Sequence, residues 1–199
     1  MSYSRDEQST LLSIALDSIN SGLHHGKPAR PNSADYSPPL AAQRASFVTL
    51  KHGETLRGCI GSLEARTSLV ESIADNAYAA AFSDPRFPEL DASEVEDLTI
   101  EVSVLSPLEP VSVTSEQELL DKMKPGEAGW LLQEDGYRGT FLPSVWESLG
   151  KPAEFLRHLK MKAGLTPDYW SNTLKIWRYT TDSFAAAATT IASSGHGAP

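Results

Sequence analysis

One cysteine, Cys59, occurs in the 199 residues. No intramolecular disulfide can form, and without a Cys-x-x-Cys pair there is neither a dithiol redox motif nor a thiolate zinc site, so a reducing compartment suits the chain. No stretch approaches the ~20 apolar residues that span a bilayer. The first residues are polar and of mixed charge instead of a basic patch followed by an apolar run. The expectation is a cytoplasmic protein with no membrane segment. Runs of Lys or Arg are also missing: 17 basic residues face 26 acidic ones, for a formal net charge of −9. That field repels phosphate backbones, so nucleic acid is not an expected partner. What is present is globular: apolar residues make up 40% and charged residues 22%, which excludes a disordered or fibrous chain. The length allows one ordinary domain or two small lobes sharing an interface.

Ser4 and Glu7 have the spacing of a capping box, and Leu11, Leu12, Ala15, Leu16, Ile19 and Leu23 recur behind them at helical intervals, predicting a helix over 7–22. From 24 to 43 four prolines break every periodicity, predicting a surface connection that stays out of the core. Residues 46–50, a turn at 52–54 and residues 55–62 read as a hairpin with Cys59 on its second strand. Ser68 and Glu71 form another capping box, opening a helix with Leu69, Val70, Ile73, Ala77 and Ala80 on its apolar stripe. The prolines at 85 and 88 make 84–88 irregular. Further on, a strand is expected at 100–105, a helix at 116–123, a hairpin at 129–133 and 137–142 around Asp135-Gly136, helices at 144–149 and 153–163, and a strand at 174–179. From Ala185 the small and polar residues predict a frayed tail, which leaves 1–184 as the folded domain. Hairpins outnumber strand-helix alternations, so the fold class is α+β with a mainly antiparallel sheet flanked by helices.

Chemistry concentrates at Leu56-Arg57-Gly58-Cys59-Ile60-Gly61. Glycine in a strand weakens it, so Gly58 and Gly61 predict that a ligand or another backbone comes close there. Arg57 and Cys59 are two apart on a strand and share a face, where the guanidinium would favour the thiolate or grip an anionic substrate. The competing reading is a buried packing cysteine with glycines that merely accommodate a bulge or a helix crossing. His52 is a poor base for Cys59, since the turn puts it roughly 13 Å or more away along the hairpin at ~3.3 Å per residue. His158 sits on a later helix, and His24 and His25 adjoin no partner at metal-ligand spacing. Asp84 and Arg86 flank a proline in a stiff loop, where they could line a pocket or pair with each other. Glu101 lies on the polar face of its strand. Tyr169, Trp170, Trp177 and Tyr179 read as core and sheet packing, with no basic groove to make them a stacking platform.

Phe47-Val48-Thr49-Leu50 with the hexapeptide, then Asn76 with Ala79-Ala80-Ala81-Phe82, Asp84-Pro85-Arg86-Phe87, Ile100 to Ser106, Thr140 to Pro143 with Val145-Trp146, and Lys162 to Leu165 together resemble the AMMECR-type domain family, the A component of the AmmeMemoRadiSam system, over roughly 7–184. The resemblance implies two intertwined lobes with the hexapeptide strand near a cleft between them. It supplies no reaction, and it associates the chain with Memo-type and radical SAM proteins. One departure is Lys160, which stands where many bacterial relatives carry a cysteine, so a mechanism needing two cysteines is in doubt. The expectation is an enzyme or enzyme component with Cys59 and Asp84 as catalytic groups and Arg57, Gly58, Gly61 and Arg86 holding a small anionic substrate, without metal or cofactor. The alternative is a non-catalytic module for protein partners.

Overall fold

The computed structural model describes residues 2–194. Helix α1 (Arg5–His25) starts on the Ser4/Glu7 capping box, with both reciprocal bonds formed, and ends at Gly26 in the left-handed region, φ 66°. Strands β1 (Ser46–His52) and β2 (Thr55–Gly61) form the expected hairpin, turning at Gly53 with φ 57°. Helix α3 (Leu69–Phe82) opens on the Ser68/Glu71 box and buries Leu69, Val70, Ile73, Ala77 and Ala80. Its alanines allow close packing on both α1 and the hairpin. Strand β3 (Leu98–Leu105) pairs antiparallel with β1, placing Ile100 and Val102 beside Leu50 and Val48 in one core.

The connection at 24–43 departs from expectation. It contains a 3₁₀ turn at Ser33–Asp35 and a one-turn helix, α2 (Pro38–Ala41), and Leu40 is buried in the core with Tyr36 packed beside it. Prolines end periodicity there without preventing an apolar side chain from docking.

The chain divides into two compact units, residues 2–105 with 182–194, and residues 106–181. In the second unit β4 (Glu109–Pro110), α4 (Glu116–Lys122), the hairpin β5 (Gly129–Glu134) and β6 (Tyr137–Phe141), α5 (Pro152–Ala163) and β7 (Lys175–Tyr179) follow in order. The sheet runs β4-β7-β5-β6 and is antiparallel throughout. Asp135 and Gly136, at φ 40° and 89°, make the β5–β6 turn. The helix expected at 144–149 is a 3₁₀ turn, Pro143–Glu147, whose Trp146 stacks on Phe155 at 3.8 Å and donates from Nε1 to the Ala128 carbonyl at 2.8 Å.

The predicted frayed tail is corrected by the structure. Strand β8 (Thr181–Ala187) joins the first sheet, giving the order β2-β1-β3-β8, and α6 (Ala188–Ser194) buries Ala188 and Ile191 in the first core. Residues 195–199 of that expected tail lie outside the described residues. The fold is therefore α+β, with two four-stranded sheets and helices packed on them. Among the described residues, no helix is long and apolar enough to cross a membrane.

Candidate functional site

Strand β2 is an edge strand, and its register on β1 decides where each predicted residue points. Gly61, Ile60, Cys59 and Gly58 oppose Phe47, Val48, Thr49 and Leu50, but the next pair is Leu56 with Lys51. Arg57 is the extra residue of a β-bulge. The alternation that would place its side chain beside the Cys59 sulfur is broken there. Arg57 is instead buried, at 8% exposure, with Nε and Nη2 donating to the Glu94 carboxylate at 2.8 and 3.0 Å and Nη1 and Nη2 donating to the carbonyls of Pro88 and Glu89 at 3.0 and 3.3 Å. Hydrogen bonding to Glu94 holds the guanidinium above its usual range, and the same bonds hold the Glu94 carboxyl below its own. A guanidinium so engaged has little left for an anionic substrate.

Both glycines are explained by packing. A Cβ on Gly58 would lie 2.1 Å from the Ala80 carbonyl oxygen of α3, and one on Gly61 would lie 2.3 Å from the Phe47 ring. The space beside each is already filled, so neither forms the floor of a ligand cavity.

Asp84 and Arg86 do meet Cys59, through its backbone. Asp84 Oδ2 accepts from the Cys59 amide at 2.9 Å, while Arg86 Nη2 donates to the Cys59 carbonyl at 3.3 Å. Arg86 also grips Asp84 through Nε to Oδ1 at 2.9 Å and Nη2 to Oδ2 at 2.7 Å, and its amide donates to Oδ1 at 3.2 Å. This is a clamp on the outer edge of the sheet, built by the proline-stiffened loop. Arg86 in first place, with the amides of Cys59 and Arg86, outweighs burial and holds the Asp84 carboxyl far below the usual carboxylate range. With both oxygens occupied, Asp84 is poorly suited to carry protons near neutral pH.

The thiol lies on the sheet face opposite α3. Its register neighbours form a row across three strands, Cys59 on β2, Thr49 on β1 and Glu101 on β3. Thr49 Oγ1 donates to Cys59 Sγ at 3.2 Å, and Glu101 pairs with Lys51 Nζ at 2.7 Å. Cys59 is half-buried. Asp84 contributes most to holding the Arg86 guanidinium charged, and Arg86 touches Cys59 at its carbonyl. The sequence offered one signal for the Arg57 partner that went unread: Asp91 and Glu94 are a capping box, closed here on a 3₁₀ helix at Ala92–Asp97.

The remaining candidates lie elsewhere. His52 ends β1 against Glu94, with Nε2 3.3 Å from its carbonyl oxygen. His24 and His158 each bond a carbonyl of their own helix, those of Asn20 and Glu154. Tyr179 is buried, bonded to Thr140 and the Phe141 carbonyl, and burial pushes its hydroxyl up to about 12. Lys160 is fully buried and pairs with Glu116 at 2.9 Å. No group of three or more His, Cys, Asp or Glu that could hold a metal occurs among the described residues.

The sequence profile described as AMMECR1 matches residues 12–184. The chain belongs to the AMMECR1 family. A protein of Methanothermobacter thermautotrophicus is 38% identical over 179 residues, covering 88% of this chain and 92% of the relative. One from Sulfolobus acidocaldarius is 41% identical over 174 residues, covering 81% and 73%. In three dimensions the chain is similar to an uncharacterized protein from Pyrococcus horikoshii, with a TM-score of 0.80 and 34% identity over 89% of this chain and 90% of that one.

Proposed function

We propose that this AMMECR1-family protein is an enzyme or enzyme component that uses the Cys59 thiol on a small anionic substrate at the edge of the first sheet. The observation that carries this reading is the placement of Arg86, whose Nη2 donates to the Cys59 carbonyl at 3.3 Å and whose side chain is 54% exposed while its Asp84 partner is buried. Thr49 steadies the sulfur, Glu101 ends the polar row, and Asp84 fixes Arg86 and the Cys59 peptide. Arg86, and not Arg57, then supplies the charge that greets the anion. Cys59 and Arg86 are the groups that meet the substrate, and Asp84 acts through Arg86 as a positioning residue.

The test compares alkylation of Cys59 by anionic iodoacetate and by neutral iodoacetamide. Arg86→Gln should lower the iodoacetate-to-iodoacetamide rate ratio about fivefold, for about 1 kcal/mol of charge interaction at contact. An unchanged ratio, or a thiol that neither reagent reaches in the folded chain, removes this reading. In that case the second one stands: a docking surface for protein partners of the Memo and radical SAM types. It is favoured by Leu56, a large apolar side chain 36% exposed on the same edge strand.

A further inference from the structure

A cavity of about 390 Å³ opens in the second unit, at the edge of its sheet. Strand β4 is only two residues long, and its ladder to β7 ends where the Val111 amide donates to the Ile176 carbonyl at 2.9 Å. Beyond that bond the segments 110–113 and 170–177 form the two walls. The walls carry Val111, Val113, Leu174 and two partly exposed indoles, Trp170 and Trp177. The volume is that of a small-molecule pocket, and the apolar and aromatic side chains of its lining are joined by Ser112, Ser171 and Asn172. One residue of the lining is charged, Lys175, and it is exposed.

Lys175 forms no ion pair among the described residues, although the chain has 26 acidic side chains against 17 basic ones. Four other lysines, Lys51, Lys122, Lys124 and Lys160, each lie within 4 Å of a carboxylate. An ammonium group at the rim of an indole-walled cavity, in a protein of net charge −9, sets what the cavity can hold. A planar ring buries its faces against the tryptophans and valines, and an acidic substituent on that ring completes the lysine by a charge-assisted hydrogen bond. A cationic ligand would meet Lys175 with no carboxylate in the lining to offset it.

We propose that residues 106–181 contain a ligand site for a planar aromatic anion, with its ring between the two tryptophan-bearing and valine-bearing walls and its carboxylate or phosphate on Lys175. The site is independent of the Cys59 reading, since every lining residue belongs to the second unit.

The experiment titrates the full chain with benzoate, phenyl phosphate, neutral benzyl alcohol and inorganic phosphate, reading the indole N–H resonances of the four tryptophans. Saturable shifts confined to Trp170 and Trp177 are expected with benzoate or phenyl phosphate, and binding at least tenfold weaker with benzyl alcohol and inorganic phosphate. Lys175 is exposed, so Lys175→Gln should fold normally and weaken the aromatic anions about tenfold, the loss of one charge-assisted contact, while Lys175→Arg should retain them. Trp170→Leu tests the ring wall and should weaken them similarly. No saturable shift, shifts on Trp130 or Trp146 instead, equal binding of the neutral alcohol, or affinities unchanged in both Lys175→Gln and Trp170→Leu would each overturn the proposal.

Discussion

The two hairpins of this protein solve one packing problem in the same way. In the first sheet Gly58 of the edge strand β2 admits the backbone of α3 at Ala80; in the second, Gly139 of the edge strand β6 admits α5, and a Cβ there would lie 2.6 Å from the Ala163 amide nitrogen. A glycine under a helix is thus a folding device used once in each unit. What the second hairpin lacks is the clamp of Asp84 and Arg86, the bulged Arg57 and the thiol. Features present at only one of two equivalent packing sites are better candidates for function than features shared by both. By that standard Cys59, Thr49 and Arg86 stand out, and Gly58 does not.

The largest expected effect separates the two buried cations. Arg57 with Glu94 and Lys160 with Glu116 are both pairs whose cation is buried. Glu94→Leu alone should cost about 3–5 kcal/mol in urea unfolding by stranding the Arg57 charge, whereas the double change Arg57→Met with Glu94→Leu should recover most of the loss. Lys160→Met should be near neutral by the same logic, because its volume is kept and the Glu116 carboxylate left behind is 40% exposed to water. A large loss for Lys160→Met would mark it as more than a structural cation.

Next come the glycines. Gly58→Ala and Gly139→Ala should each lower stability by about 1–3 kcal/mol, because in both cases the new methyl meets helix backbone instead of a side chain that can swing aside. If Gly58→Ala were tolerated at no cost, the close approach of α3 would not be the reason for glycine there, and the ligand reading of that position would return.

The smallest effect is a pH dependence confined to the first sheet. The Asp84 carboxyl is depressed in the folded state by Arg86 and by the amides of Cys59 and Arg86. Its contribution is therefore full above the unfolded carboxylate range, near pH ~4, and is lost as pH falls below it. The difference in urea midpoint between the native chain and Asp84→Asn should hold constant from neutral pH down to about pH 5 and shrink under more acid conditions. A difference that changed through neutrality would mean that another group, not Asp84, titrates at the clamp.

Local signals were legible in the sequence. The Ser4/Glu7 and Ser68/Glu71 boxes, the two turns with glycine at positive φ, and the apolar stripes of α1 and α3 all depend on neighbours within a few residues. The direction of Arg57 was not legible, because Gly58 and Gly61 admitted a bulge as one reading but its place is set by the pairing of β2 with β1. Strand β8 and helix α6 escaped for a different reason. Residues 185–194 are small and polar, and only Ala188 and Ile191 among the helix residues reach the core. The Cys59–Thr49–Glu101 row needed two registers to be known at once; Cys59 and Glu101 were each visible, and Thr49 linked them.

The grip of Asp84 and Arg86 on the Cys59 peptide reaches past chemistry to colloidal behaviour. An extended segment from another molecule that approaches the open side of β2 finds the amide and carbonyl of its central residue already satisfied, with a half-exposed cation standing guard. Cross-molecule strand pairing is thereby interrupted at the middle of the rim, and the chain can display a reactive-type residue on a sheet margin without inviting fibril growth from it.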